Sequence, residues 1–568
     1  MKVLSTILVV LALAACARGE DAPADRIQTM IEDMVKKILD CQQGGRYVLG
    51  APSGQDTMML AQFPQGQTAL GVLALQYARP HLKGDLQTQA LDGIRKGLAN
   101  LAQQQVEART YSAGLILTVF VQEDPDRNKK LIDTYAKMLI LSQHDKGEIS
   151  GEWGYRLLLP PGVAGEKEDL DDWGDKSNTQ FALLGLYNAD RAGFQVPDLI
   201  WQRAADHYVK AQFPNGGWGY RPQLRPQPYM NMTVASTISL QLCEEMLLSQ
   251  KHKQCKPPPR SKAVDAGIKW IADNWDRSNI GTDPYGLYAL ERLGILMGRA
   301  NLGGHDWYNE GANALLNARQ ISVWGTPECA YCFAVAYLAR GLEPIVINKL
   351  ERPGTDDWNN DPYDVKHLVE HLQDRFQLAV QWRIVTLEAP LELLLKTPIL
   401  YISGHDALAF SDAEKTKLKA YVAGGGTILA QACCAKKPFD TSVRALAKEL
   451  FAGEFQPFPK TSRLFERMKS RGVDPKAEVL SVALENQQGR PAILYLTHDY
   501  CCRWQSGGAA AREPFAVGAG IYFFVANECR QMYEASKPAP APTPVPDPAP
   551  ATTPMPAPAT PPAPDPAK

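Results

Sequence analysis

Gln212-Phe213-Pro214-Asn215-Gly216-Gly217-Trp218 is the stretch that decides the fold. It closes a segment, residues 197–212, whose apolar positions recur at helical spacing and leave one polar face. It precedes residues 234–248, which are apolar nearly all round. A Gln side chain can satisfy backbone groups left free at a helix end, Gly permits the turn, and Trp packs over the junction. Gln143, with Gly147 and Trp153 after it, is a looser copy. The same theme recurs from about residue 26 to 342. Helices with one polar face at 27–42, 87–105, 130–143, 197–212, 263–275 and 308–320 alternate with more apolar ones at 68–77, 111–121, 179–190, 234–248, 285–296 and 330–338. Helices apolar on every side must be buried, and those with a polar face lie outside. Six outer and six inner helices predict a double-layered, all-α ring.

Gln212 to Trp218 resembles the Gln-Trp repeats of squalene cyclases and of the wider prenyltransferase/squalene-oxidase repeat family, over roughly residues 26–345. The resemblance implies an α/α toroid. Cyclases of this kind protonate an alkene with an Asp-x-Asp-Asp motif leading into an inner helix, and such an acid must be kept protonated by its surroundings. The matching segment is Asp175-Lys176-Ser177-Asn178-Thr179. Only Asp175 keeps the pattern. Ser177 stands in the proton donor's place and Asn178 in its neighbour's, and neither is a strong acid, whereas Asp, Ser and Asn all cap helices well. Just upstream, Asp169-Leu170-Asp171-Asp172 repeats the acid motif as letters, and Asp171-Asp172-Trp173-Gly174-Asp175 repeats the diphosphate-binding pattern. Both fall in a Gly- and Trp-containing loop, where the spacing does not converge carboxylates. Asp169, Asp171, Asp172 and Asp175 are therefore the polar candidates of the ring, without an expectation of cyclase activity. No Asp-x-Cys matching the zinc motif of protein prenyltransferases occurs in the ring segment, residues 26–345, and no cofactor or metal is expected.

Past an acidic, Asn-rich boundary at 355–364, short strands alternate with helices: 383–387, 398–403, 427–434, 478–484 and 492–497, with a capped helix at 411–422. This is an α/β pattern with a mostly parallel sheet. Val346-Ile347-Asn348-Lys349, Asp357-Trp358-Asn359-Asn360, residues 421–426 and His498-Asp499-Tyr500-Cys501-Cys502-Arg503-Trp504 together resemble a bacterial domain of unknown function. Its core is similar to the flavodoxin-like class I glutamine amidotransferases. In those enzymes the nucleophilic Cys sits on a strained strand-to-helix turn flanked by small residues, mainly Gly. Cys433 and Cys434 follow a strand, but Ala432, Ala435, Lys436 and Lys437 flank them, so no elbow is expected. His498 and Asp499 offer a Cys-His-Asp set, and Cys434, His498 and Cys502 a metal set; the plainer reading is a disulfide or buried thiols. If strands 427–434 and 492–497 are neighbours, the two cysteine pairs share one sheet edge, within the ~5–6 Å Cα span of a disulfide. The resembled family usually places its cysteine at Cys502, which favours Cys434–Cys502. Cys329 and Cys332 have CxxC spacing without a second pair, and read as small residues of a packed helix.

The chain of 568 residues is too long for one core. Its 60 basic and 62 acidic side chains give a net charge of −2, which excludes the basic footprint of nucleic-acid binding. Lys2 and the apolar run 3–13 read as an export signal too short to span a bilayer. Leu13-Ala14-Ala15-Cys16 resembles the lipobox of bacterial lipoproteins, which implies an acylated Cys16. Residues 1–15 are then the signal, 16–25 a tether, 26–350 the toroid, 351–535 the α/β domain and 536–568 a disordered Pro/Ala-rich tail. The expected protein is exported and anchored on the periplasmic or outer side of the envelope. Non-catalytic binding or scaffolding among envelope proteins comes first. A cyclase-like or prenyl-binding enzyme is the alternative, and a glycan-binding or glycan-cleaving toroid the second. A closed apolar pocket favours an apolar ligand, an open aromatic groove a glycan, and a filled centre a scaffold.

Overall fold

The computed structural model describes residues 21–50, 61–165, 168–221, 224, 226–251, 255–256, 261–276, 282–469, 478–507 and 511–537. The segment expected to be an export signal, Cys16 and the residues beyond 537 lie outside the described residues. Twelve helices build the first region: α1 Ala24–Asp40, α2 Pro64–Ala78, α3 Gly84–Gln103, α4 Thr110–Glu123, α5 Lys129–Ser142, α6 Lys176–Arg191, α7 Asp198–Ala211, α8 Met230–Lys251, α9 Lys262–Asp273, α10 Pro284–Met297, α11 Trp307–Asn317 and α12 Pro327–Gly341. The even-numbered helices are buried on every side; in α4, each residue from Thr110 to Val121 is buried. The odd-numbered ones bury a stripe, as α1 does with Ile27, Ile31, Met34, Val35 and Ile38. Each even helix packs on the next, α2 on α4 and so on to α12, and α12 packs back on α2. The odd helices pack against them from outside. Helices α4 and α6 come closest, because Gly114 and Gly185 face each other. A Cβ on Gly185 would stand 2.8 Å from the Gly114 Cα.

The Gln and Trp residues do specific work at the junctions. Gln212 donates through Nε2 to the carbonyl oxygens of Gly216 and, across to α9, of Ala263, both at 2.8 Å. Gln143 likewise reaches Ile200 on α7 at 2.9 Å. Each Gln thus ties the end of one outer helix to the first turns of the next. Trp218 and Trp153 donate back to Tyr208 and Leu139, and their backbone N–H groups donate to Thr233 and Thr179. A third copy has Tyr in place of Trp: Gln42 donates to Gly93 at 2.9 Å, and the Tyr47 N–H donates to Thr68.

The second region holds a seven-stranded mixed sheet: β1 Ile345–Leu350, β2 Gln381–Val385, β3 Ile399–Gly404, β4 Thr427–Ala432, β5 Gln456–Pro457, β6 Val479–Leu484 and β7 Arg490–Leu496, in the order β2-β1-β3-β4-β7-β6-β5. The first five strands in that order are parallel, and β6 and β5 add on antiparallel. Strand β1 corrects the expected boundary at 350. Its six residues follow an apolar helix with almost no break, so periodicity alone extends the helical region over them. Helix α13, Asp364–Phe376, joins the two regions by lying across the C-terminal ends of the even helices. There Lys366 is buried between Glu245 at 2.6 Å and Glu370 at 3.0 Å, and Arg191 meets Asp374 at 2.7 Å. Cations at helix C-termini also complement the helix dipoles. Among the described residues no helix is long and apolar enough to cross a membrane.

Candidate functional site

The even helices all run in one direction, so their N-terminal ends gather opposite α13. They surround a cavity of about 520 Å³, to which all six contribute, together with the loops before them. Its wall is aromatic: Phe63, Tyr111, Tyr155, Tyr220, Tyr285 and Trp324 line it. Trp324 is held in an unusual way. Val323 and Thr326 exchange backbone hydrogen bonds at 3.0 and 3.1 Å, with Trp324 and Gly325 between them at φ 52° and 74°. Two successive positive φ values define a type I′ turn, whose first position favours Asn or Gly. A bulky side chain there costs of order 1–3 kcal/mol, and such strain clusters at ligand sites. The indole sits edge-on to Tyr111, at 5.8 Å between ring centres, and to Phe333 at 5.5 Å.

The polar groups of this end are arranged to orient rather than to react. Tyr111 donates to Ser177 at 2.7 Å, and Ser177 pairs with Tyr285, forming a hydroxyl chain along the wall. Asp175 caps α6, accepting from the backbone and side-chain N–H groups of Asn178, both at 2.7 Å, and from the Tyr220 hydroxyl at 2.9 Å. Burial raises its carboxyl to about 6 despite those bonds. Asp171 accepts from the backbone N–H groups of Tyr155 and Arg156, at 2.6 and 3.0 Å, and Asp169 and Asp172 are exposed. The four aspartates therefore do not converge on the cavity. Asp283, which does line it, caps α10 and accepts from Asn231. Behind the wall lies a buried triad absent from the sequence reading: Glu152 between Lys176 at 2.5 Å and His207 at 3.0 Å. Burial alone would raise the Glu152 carboxyl, but the His207 hydrogen bond and the Lys176 charge outweigh it and hold the group at about 2.

A second cluster lies at the C-terminal edge of the sheet, where β4 and β7 pair in parallel. Cys433 and Cys434 follow β4, and Cys501 and Cys502 open the short helix Cys501–Ser506. The missing glycines suggested no elbow, yet Cys434 and Ala435 both take φ 51°. The disulfide also differs from the expected one. Cys502 is bonded to Cys255, which arrives from the segment between α8 and α9, with 6.6 Å between Cα atoms. Cys434 stands beside that bond, its Sγ 4.0 Å from the Cys502 Sγ, as does that of Cys433. No local pattern around Cys255 marks it, because its partners lie in another region. Cys433 donates to Asp361 at 3.1 Å and Cys501 to Asp499 at 3.2 Å. A hydrogen bond with Cys501 lowers the Cys433 thiol, but burial and the Asp361 charge raise it more, to about 12. His498 is exposed and joins neither a catalytic nor a metal set.

Residues 346–518 match the family described as a domain of unknown function, DUF4159. No curated protein matches the chain.

Proposed function

We propose that the protein is a lipid-anchored envelope protein whose helical region is an α/α toroid, and that its aromatic cavity binds a pyranose-containing glycan without cleaving it. The cyclic packing of α2 to α12 and the repeated Gln staples support the toroid. Trp324 carries the ligand assignment, because a strained turn presents its indole beside the phenols of Tyr111 and Tyr285. A pyranose ring offers a C–H face to an indole and hydroxyls to the phenols and to the Asn231–Asp283 pair, whereas an isoprenoid uses only the ring faces of this wall. Binding rather than hydrolysis follows from the carboxylates. Glycosidases need an acid and a second carboxylate about 5–10 Å apart across the substrate, and here Asp175 is sealed behind Tyr220 while Asp283 is engaged by Asn231.

The test is a panel of neutral oligosaccharides and polyprenyl lipids presented to detergent-extracted protein. Glycan retention that falls about tenfold or more in Trp324→Ala supports the reading. Retention of polyprenyl lipids alone refutes it, as does cleavage of a bound glycan.

A further inference from the structure

The cysteine cluster is richer than one disulfide requires. Ligand sulfurs of Cys255, Cys433, Cys434 and Cys502 all lie within 4.8 Å of one another. A tetrahedral Zn²⁺ site with Zn–S bonds of about 2.3 Å needs its sulfurs about 3.8 Å apart. Cys433 and Cys434 each stand 4.0 Å from Cys502. The backbone adds a second, independent sign. Cys434 and Ala435 hold φ 51° without glycine, so the chain bears strain where it turns two adjacent thiols toward Cys255 and Cys502. The surroundings leave the cluster anionic if the thiols ionise, since Asp361 and Asp499 accept hydrogen bonds from Cys433 and Cys501.

We propose that Cys255, Cys433, Cys434 and Cys502 form a closed tetrathiolate site for one Zn²⁺ ion, which clamps the helical region to the sheet region. The sequence led to the opposite expectation, because the four ligands come from three separated stretches and show no CxxC spacing. Thiolate ligands select soft or borderline ions, and a closed set of four sulfurs is a structural rather than a catalytic arrangement. The site and the Cys255–Cys502 bond exclude each other. A dithiol donor reduces the bond, passing two electrons and two protons to the sulfurs and becoming a disulfide itself. The four thiols then release their protons as the four Zn–S bonds form. Cys255 is the only ligand from the helical region, so metal or disulfide alike fastens α8 and α9 to β4 and β7.

Two measurements decide the matter. The first is zinc content and free-thiol count of the full chain, isolated without chelator or reductant. The second is anaerobic titration of the dithiol-reduced protein with Co²⁺, followed by its visible d–d and thiolate charge-transfer bands. Either one zinc per chain with unreactive thiols, or one equivalent of tetrahedral thiolate Co²⁺ displaced by Zn²⁺, supports the site. Cys434→Ser should then weaken metal binding about tenfold or more, and Cys41→Ser, whose thiol lies outside the cluster, should leave it unchanged. Metal-free isolated protein together with no tetrahedral cobalt spectrum overturns the proposal. So does metal binding that is indifferent to Cys434→Ser.

Discussion

Replacing Lys176 with Met isolates a buried charge and puts a number on the triad behind the cavity wall. The Lys176 and Glu152 side chains are only 2% and 4% exposed and lie 2.5 Å apart. The Glu152 carboxyl falls from its ordinary 4.5 to about 2 in the folded protein. That drop, at about 1.36 kcal/mol per tenfold change in acidity, corresponds to roughly 3 kcal/mol. A depressed carboxylate stabilises the fold above its unfolded pKa, so this contribution is complete above about pH 4.5 and drains away toward pH 2. His207 supplies part of that depression and Lys176 the rest, so Lys176→Met loses only a share of it. The change also leaves Glu152 buried beside a single partner, a loss of about 3 kcal/mol at pH 7 by the general cost of breaking a buried pair from one side. In a region of this size that lowers Tm by roughly 5 °C, read by far-UV circular dichroism. The gap should narrow at pH 3, and Lys176→Met with Glu152→Met should recover most of it. A single variant that melts with the parent at pH 7, or a deficit unchanged at pH 3, would show that Lys176 acts by packing and not by charge.

Two other outcomes follow from the packing of the helices and a third from the Leu13-to-Cys16 motif. Gly185→Ala should destabilise the helical region by about 1–3 kcal/mol in thermal melts, because its Cβ meets the Gly114 backbone. Gln212→Ala removes two carbonyl contacts at 2.8 Å and should cost about 1–2 kcal/mol, whereas Gln202→Ala, whose bond is to exposed Asp206, should stay within about 0.5. Cys16→Ala should move the protein from the membrane fraction to the soluble or unprocessed pool, and a free mature N-terminus downstream of Cys16 in the parent would refute the anchor.

The helices were legible in the sequence because burial leaves a periodic trace. Residues 111–121 are apolar on every face and become the fully buried core of α4, while the stripe on 27–42 becomes the one buried face of α1. The junctions of a Gln and a later Trp were legible wherever Trp was kept. The first copy was hidden by Tyr47, which makes the same backbone contact to a Thr as Trp153 and Trp218 do but carries no indole for a sequence pattern to find. Strand β1 was hidden for a different reason: Ile345 to Leu350 sets Asn348 and Lys349 beside each other among apolar residues, so it lacks the strict alternation that separates strand from helix. The sites were the least legible. Trp324 is a lone aromatic in a loop, and only the positive φ at Trp324 and Gly325 reveals its placement. Cys255 and Cys502 are 247 positions apart, and nothing local foretells a contact that the packing of two regions creates. The Glu152–Lys176–His207 triad has the same cause, since its members come from a loop and two helices.

Ligand binding in the cavity is tested most directly by calorimetric titration of the intact protein with the best-retained neutral oligosaccharide, in parent and Trp324→Ala side by side. The account predicts one site per chain in the parent, and an affinity about tenfold or more lower in the variant, with the melting profile of the helical region preserved. Equal affinity in the two proteins would contradict it.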